Sequence, residues 1–383
     1  MIQRIAINTG GGDAPGLNAV IRSVVISARW RGWETVGVRY GYRGLIEDDP
    51  ALLVHLDRDA VRGITHLGGT ILGSTNRGDP FHYPVQVDGR REAQDLSDLV
   101  VRRARALGID ALIAIGGDGS ATLAHRLLQK GLPRVIVVPK TIDNDLPVTD
   151  RTFGFETAVT TATEALDKLH STAQAHERVM VVEVMGRYAG WIALYAGIAG
   201  SADVILIPEI PFDIERVCEK IMRRESRGRH FSIVVVAEGA RPKGGEMTFR
   251  GGKDSFAQHE RLGGIAEQVA QQITARTGKE TRSIVLGHLQ RGGSPVMSDR
   301  LLALELGCAA TRFLAETDDS GMVAMVAGQL RLVPLDEIAH HVRTVGHDAP
   351  ELQTGRDLGL CFGDEPPGSF LASIPPPPGP PAA

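Results

Sequence analysis

Two acidic residues flank an asparagine in the segment Pro139, Lys140, Thr141, Ile142, Asp143, Asn144, Asp145. Carboxylates this close repel each other and tend to share a proton or a metal. One aimed at a substrate hydroxyl can take its proton during phosphoryl transfer. An Asp and Asn turn is the plainer reading, and the segment alone leaves both open. Glycine clusters elsewhere carry related chemistry. Gly10, Gly11 and Gly12 lead through Asp13 to Gly16; without Cβ atoms, such a backbone can bring its N–H groups and a helix N-terminus close to a phosphate. The spacing is neither GxxxxGK[ST] nor GxGxxG, which weighs against a P-loop or a dinucleotide site. Gly68, Gly69 and Gly73 with Ser74, Thr75, Asn76 and Arg77 add hydroxyls and a guanidinium suited to a phosphoryl oxygen. In Gly116, Gly117, Asp118, Gly119, Ser120, the Asp or the Ser can cap a following helix. Beside bound phosphates, Asp118 would instead help hold Mg²⁺, which accepts one or two carboxylates plus phosphate oxygens. Arg178, Met185, Gly186, Arg187, Glu238, Arg282, His288 and Arg291 follow. Their arginines and histidine can bind a second anion such as a sugar phosphate, or be ordinary surface residues.

These residues must be positioned by something, and short β-branched runs precede most of them. Ile5–Thr9, Ala111–Ile115, Arg134–Val138, Val179–Val184, Val204–Ile207 and Ser232–Ala237 suit strands buried on both faces. Between them lie helical patterns over Asn18–Arg31, Ala93–Leu107, Ser120–Gln129, Glu156–Ala173, Ile214–Arg224, Ile265–Thr277 and Asp299–Glu316. The alternation predicts an α/β protein with two doubly wound, Rossmann-like units and mainly parallel sheets. One unit is expected over residues 1–150 plus about 260–310, with a return crossing near Gly264, and the other over 151–259 plus about 311–355.

The chain has 383 residues, and 45 of them are glycine, roughly 12% against about 7% on average. A net charge of −4 gives no polybasic surface for nucleic acid. No apolar run is long enough for a membrane span, and the N-terminus lacks a signal-peptide pattern, so a soluble, cytoplasmic protein is expected. Cys218, Cys308 and Cys361 are scattered and without CxxC spacing, which reads as reduced, ordinary cysteine. Residues 360–383, ending in IPPPPGPPAA, are expected to stay outside the core as a Pro-rich tail.

Read in order, TGGGDAPGLNAVIR, GGTILGS, IAIGGDGS, PKTIDND, VVEVMGRYAG, VAEG and TRSIVLGHLQRGGSP resemble the phosphofructokinase family over about residues 1–310. The resemblance implies phosphorylation of fructose 6-phosphate at its 1-hydroxyl, a glycolytic step, with ATP as co-substrate and Mg²⁺, in an active site between a donor domain (the first unit) and a sugar-phosphate domain (the second). Asp143 would be the base, with Thr141 and Asp145 beside it. Gly11 would donate its N–H to the transferring phosphoryl group and Arg187 would stabilise that group. Asp118 would partner Mg²⁺, within a nucleotide side of Tyr42, Arg77, Gly117, Asp118, Gly119 and Ser120. Met185, Gly186, Glu238, His288 and Arg291 match sugar-site positions. Arg178 and Arg282 match residues that reach the 6-phosphate from a neighbouring subunit, implying a homodimer or homotetramer.

The family holds ATP users and pyrophosphate users, and two positions that commonly separate them disagree here. Gly119 leaves room for the α-phosphate of ATP, whereas Lys140 is the residue of pyrophosphate users. An Asp at 119 would oppose the α-phosphate, while a flexible Lys can accompany it, so ATP is the expected donor. The segment Asp79–Leu96 and the tail after about Asp336 are longer than in the short bacterial enzymes. Arg22, Arg58, Arg227 and Arg229 match the family's effector site, but Ile26 and His170 stand where arginines are usual. The alternatives are a pyrophosphate-dependent enzyme, a kinase of another sugar phosphate, and a non-catalytic regulatory subunit.

Overall fold

The computed structural model describes residues 2–249, 262–338 and 341–370. Two compact units divide the chain. The first takes residues up to Thr161 and His288–Thr344, so the chain leaves it partway along the helix Phe155–Ala175 and returns later.

Its seven-stranded sheet runs, in spatial order, Gln329–Val333, Gly321–Val326, Arg134–Pro139, Ala111–Gly116, Arg4–Thr9, Glu34–Val38 and Leu53–His55. The five inner strands are parallel and each edge strand is antiparallel to its neighbour. Burial on both faces explains the continuous apolar runs. Ile5, Ile7, Ile113, Ile136 and Val138 pack on one face with Val20, Val24, Leu306 and Ala310 from the helices Leu17–Trp30 and Met297–Glu316. The intervening Ala6, Leu112, Ala114, Val135 and Val137 face the helices Ser97–Ala106 and Asp118–Gln129 through Val100, Ala104, Ala124 and Leu127. A two-residue alternation thus feeds two helical layers. Tyr83–Val87 and Arg90–Gln94 form a separate hairpin, turned by Asp88 and Gly89, both with positive φ, 48° and 78°, as a two-residue Asp-Gly turn requires.

The second unit has a four-stranded, all-parallel sheet in the order Thr281–Val285, Val179–Val184, Ser232–Ala237, Val204–Leu206. The helices Ile214–Ser226 and Ile265–Thr277 cover one face through Val217, Ile221, Val269 and Ile273. Across the described residues no helix is long and apolar enough to cross a membrane.

The α/β class and the two doubly wound units agree with the sequence reading, while the boundaries differ. Residues 262–287 belong to the second unit, not the donor domain, because Thr281–Val285 pairs with Val179–Val184. The return therefore falls at His288 rather than near Gly264. Residues 151–161 and 311–344 belong to the first unit, where Gly321–Val326 pairs with Arg134–Pro139. The helix expected from Ala93 starts at Ser97, because Arg90–Gln94 is a hairpin strand. The start of the supposed tail is folded. The Ile205 N–H donates to the Cys361 carbonyl at 2.9 Å, and the Cys361 N–H to the Asp203 carbonyl at 3.1 Å. This extends the open sheet edge at Val204–Leu206 and carries Phe362 and Phe370 into burial. The rest of that tail, 371–383, lies outside the described residues, as do residues 250–261 of the expected sugar-phosphate domain.

Helix Met297–Glu316 packs on Leu17–Trp30 so closely that a Cβ on Gly307 would lie 2.1 Å from Ser23 Oγ and 2.9 Å from the Val20 carbonyl oxygen. Gly307→Ala is expected to cost about 1–3 kcal/mol through overpacking, measured as a lower urea midpoint at unchanged slope.

Candidate active site

In the first unit, parallel pairing delivers three loops to the same edge of the sheet. The Gly10 N–H donates to the Ile115 carbonyl and the Lys140 N–H to the Gly116 carbonyl, both at 2.9 Å. Absent side chains allow this closeness: a Cβ on Gly116 would sit 2.1 Å from Ser120 Oγ, and one on Gly10 2.7 Å from the same atom. The Gly68 segment joins them through Thr9 Oγ1, which donates to the Gly73 carbonyl at 2.6 Å, and Ser74 Oγ, which donates to the Gly11 carbonyl at 2.6 Å. Gly68 also lies against the GHLQRGG segment, where a Cβ would be 2.2 Å from the Gly293 carbonyl oxygen. The Gly11 N–H donates to the Thr75 carbonyl at 3.1 Å. This differs from the expected role of that N–H, because the two glycine segments close on each other.

The acidic loop follows a clean alternation. Ile142, Asn144 and Leu146 are buried, whereas Thr141, Asp143 and Asp145 are half-buried on the other side. Asn144 takes φ 50°, a left-handed conformation that Asn tolerates, and its Oδ1 accepts from the Thr152 N–H at 3.1 Å. Thr141 Oγ1 accepts from the Asp143 N–H and donates to Asp145 Oδ1, each at 3.1 Å. Burial pushes the Asp145 carboxyl up, the Asp143 and Asp118 carboxylates push it further, and the Thr141 bond opposes them.

Lys140 links this loop to the glycine loop. It is buried, its Nζ donates to the Gly12 carbonyl, and a Cβ on Gly11 would lie 3.4 Å from that Nζ. Burial lowers its ammonium to about 8, with help from Arg291, against the pull of Asp13, Asp143 and Asp118. Arg291 Nη1 donates to the Asp13 carbonyl at 3.1 Å, so this residue lies against the glycine loop, while His288 is exposed.

An open cavity is lined by Gly11, Gly12, Asp13, Ser74, Thr75 and Asn76. Asn76 is the lining residue, whereas Arg77 is exposed and outside that lining. A smaller pocket holds Asn8, Gly41, Tyr42 and Ser120, and burial pushes the Tyr42 phenol well above its ordinary range. Asp118 begins its helix, exposed, just after Gly117, and Gly119 follows half-buried. Sequence reasoning missed Asn8 as a lining residue and placed Asp13 and Asn76 in the glycine clusters without a role of their own; the place of Asn8 two residues before Gly10 was the available signal.

In the second unit, Met185, Gly186, Arg187 and Glu238 gather at the C-terminal ends of two paired strands. Gly186 has φ 138°, and the Gly239 N–H donates to its carbonyl at 3.0 Å. Arg187 lies over the Tyr188 ring at 5.7 Å. Arg178 and Arg282 instead sit at the N-terminal ends of Val179–Val184 and Thr281–Val285, sharing Glu280 Oε1 at 2.9 and 2.6 Å. Strands of this length place them on the order of 15–20 Å from Arg187. The effector-position residues divide, Arg22 and Arg58 in the first unit, His170, Arg227 and Arg229 in the second. His170 Nε2 is 2.7 Å from the Gly200 carbonyl oxygen.

Glycine loops and a carboxylate loop at the C-terminal edge of a parallel sheet are the arrangement of an α/β protein that binds phosphorylated ligands. A family model described as Phosphofructokinase matches residues 4–314. The ATP-dependent 6-phosphofructokinase of Chloroflexus aurantiacus is 51% identical over 369 residues, 95% of this chain and 98% of that one. ATP-dependent 6-phosphofructokinase 2 of Clostridium perfringens is 48% identical over 366 residues, 95% and 99% of the two chains. Phosphofructokinase of Pichia pastoris in the T-state matches with TM-score 0.74 and 31% identity over 88% of this chain, which spans 35% of that longer one. Pyrophosphate-dependent phosphofructokinase from Marinobacter aquaeolei, at 23% identity and TM-score 0.75 over 96% of this chain and 93% of that one, shares the fold. The chain belongs to the phosphofructokinase family.

An unfolded lysine holds its proton up to about 10.5, the folded Lys140 only up to about 8. Between those values the unfolded chain binds the extra proton, so this group adds stability as pH rises through the window. Lys140→Met is expected to be more stable than wild type at pH 7 and to gain less between pH 8 and 10.5, measured by urea unfolding across pH.

Proposed function

We propose that the chain transfers the γ-phosphoryl group of ATP to the 1-hydroxyl of D-fructose 6-phosphate, giving fructose 1,6-bisphosphate and ADP, as a cytoplasmic step of glycolysis. The observation that carries this reading is the joining of the acidic loop to the donor glycine loop through Lys140, within one unit. Asp143 takes the proton of the sugar hydroxyl. Thr141 holds its place through the bonds to Asp143 and Asp145. Lys140 places positive charge beside the donor phosphates, and Arg187 serves the phosphoryl group as it moves. Charge neutralisation and positioning are the main demands of this chemistry.

Among the described residues, no group of three or more His, Cys, Asp or Glu side chains is arranged to hold a metal. Mg²⁺ that takes most of its ligands from phosphates and water needs only one or two carboxylates. Asp118, exposed beside Gly117 and acting on Asp145, fits that demand. Held there, Mg²⁺ would neutralise charge on the donor phosphates.

The donor assignment rests on Gly119 and on the ATP-dependent relatives. Lys140, buried against Gly11 and Gly12, is the observation that favours a second reading with pyrophosphate as donor. Met185, Gly186, Glu238, His288 and Arg291 are assigned to the sugar. Arg178 and Arg282 are assigned to the 6-phosphate in a neighbouring subunit of a homodimer or homotetramer, which their position at the opposite strand ends from Arg187 supports.

The purified chain is expected to turn over with ATP, fructose 6-phosphate and Mg²⁺, and poorly with pyrophosphate. A matrix of donors against sugar phosphates checks this, and pyrophosphate-only turnover would reverse the donor; no turnover with any pair would favour a regulatory subunit. Asp143→Ser is expected to lower turnover by about 10² to 10⁴ with sugar affinity nearly intact. Steady-state kinetics decide it, and near wild-type turnover would remove Asp143 as the base.

A further inference from the structure

The family match ends at residue 314, yet the chain after it is built against the loop that carries Asp143. At its base that loop closes on itself: Thr152 Oγ1 donates to the Thr141 carbonyl at 2.8 Å, and Lys140 bridges to Phe153. Its outer lobe, Asp145–Asp150, is less self-sufficient. Val148, a β-branched residue, stands at φ 55°, a conformation that needs support from its surroundings.

That support comes from two later pieces of the same unit. The strand Gly321–Val326 accepts the Asp150 N–H at the Met325 carbonyl, 2.7 Å, and the Met325 N–H returns to Thr149 Oγ1 at 3.1 Å. Arg343 then spans both ends of the lobe. Its backbone N–H donates to the Asp145 carbonyl at 2.7 Å, a bond that any residue but proline keeps there, and its side-chain Nη1 donates to the carbonyls of Asp150 at 2.8 Å and Thr149 at 3.3 Å.

We propose that Arg343 is a positioning residue for the phosphoryl-transfer reaction, fixing the acidic loop so that Asp143 meets the sugar hydroxyl. The inference rests on the reading of Asp143 as the proton acceptor. A planar guanidinium makes charge-assisted bonds in a fixed geometry, which suits it to pinning two carbonyls at one turn. Release of the Thr149 and Asp150 carbonyls lets the lobe behind Asp145 shift, and that shift passes through Asn144, already in a left-handed conformation, to Asp143. Misplacement of a reacting group by about 1 Å can cost roughly 10²-fold in rate. The donor loop at Gly10–Asp13 makes none of these bonds, so the effect falls on the chemical step rather than on nucleotide binding.

The test compares full-length Arg343→Met and Arg343→Lys with wild type. Arg343→Met is expected to lower kcat by about tenfold or more while KM for ATP stays within about twofold, and Arg343→Lys, which retains a charged donor, recovers much of the loss. If Arg343→Met does not fold, Arg343→Gln, keeping one N–H donor pair, takes its place. A folded variant with wild-type kcat, or one whose loss lies wholly in KM for ATP, overturns the proposal. Asp143→Ser separates the two levels: if it retains turnover, the reading of Asp143 fails. If it loses turnover while folded Arg343→Met does not, only the role of Arg343 fails.

Discussion

The parallel pairing of Ala111–Gly116 with Arg4–Thr9 on one side and Arg134–Pro139 on the other is the constraint on which the donor side depends. Parallel strands end on the same edge, so three successive loops must emerge together. Any side chain there would hold them apart, and glycine is what lets Gly10 and Gly116 close on Ser120. The functional groups then need only short reaches. Lys140 touches Gly12, Thr141 touches Asp145, and Arg291 touches Asp13.

Opposed charges gather there. Asp13, Asp118 and Asp143 act on Lys140, Asp118 and Asp143 act on Asp145, and burial disfavours ionisation of both Asp145 and Lys140. A protein optimised for stability alone would not bury such groups together. The first unit thus gathers acidic and basic groups around its glycine loops, and the second carries Arg187 at the C-terminal end of its strands with Arg178 and Arg282 at the N-terminal ends.

Much of this was legible because local chemistry and local structure coincide. Continuous β-branched runs such as Ala111–Ile115 announce buried parallel strands, and glycines after them announce loop closeness. What escaped is non-local. Thr281–Val285 carries exposed residues and no strong strand pattern, so its pairing with Val179–Val184, and hence the true domain boundary, is invisible in the linear chain. Phe362 and Phe370 sit among prolines and acidic residues, which hid their burial. In the Ser74–Arg77 segment the choice between Asn76 and Arg77 depends on how one turn is wound, a detail that spacing does not encode. The bond from the Gly11 N–H to the Thr75 carbonyl joins two separate segments, so that closure too is invisible in the linear chain.

The return of the chain at His288 has a consequence for how the molecule is made. Arg134–Pro139 is synthesised long before Gly321–Val326, its neighbour in the sheet. At ribosomal speeds of about 5–20 residues per second the gap lasts on the order of ten to forty seconds. Through that interval the nascent first unit presents a bare, apolar strand edge, the kind of surface that recruits other chains. The outer lobe beside Asp143 is equally unbraced until Arg343 leaves the ribosome, so the acidic loop reaches its final form among the last parts of the protein to do so.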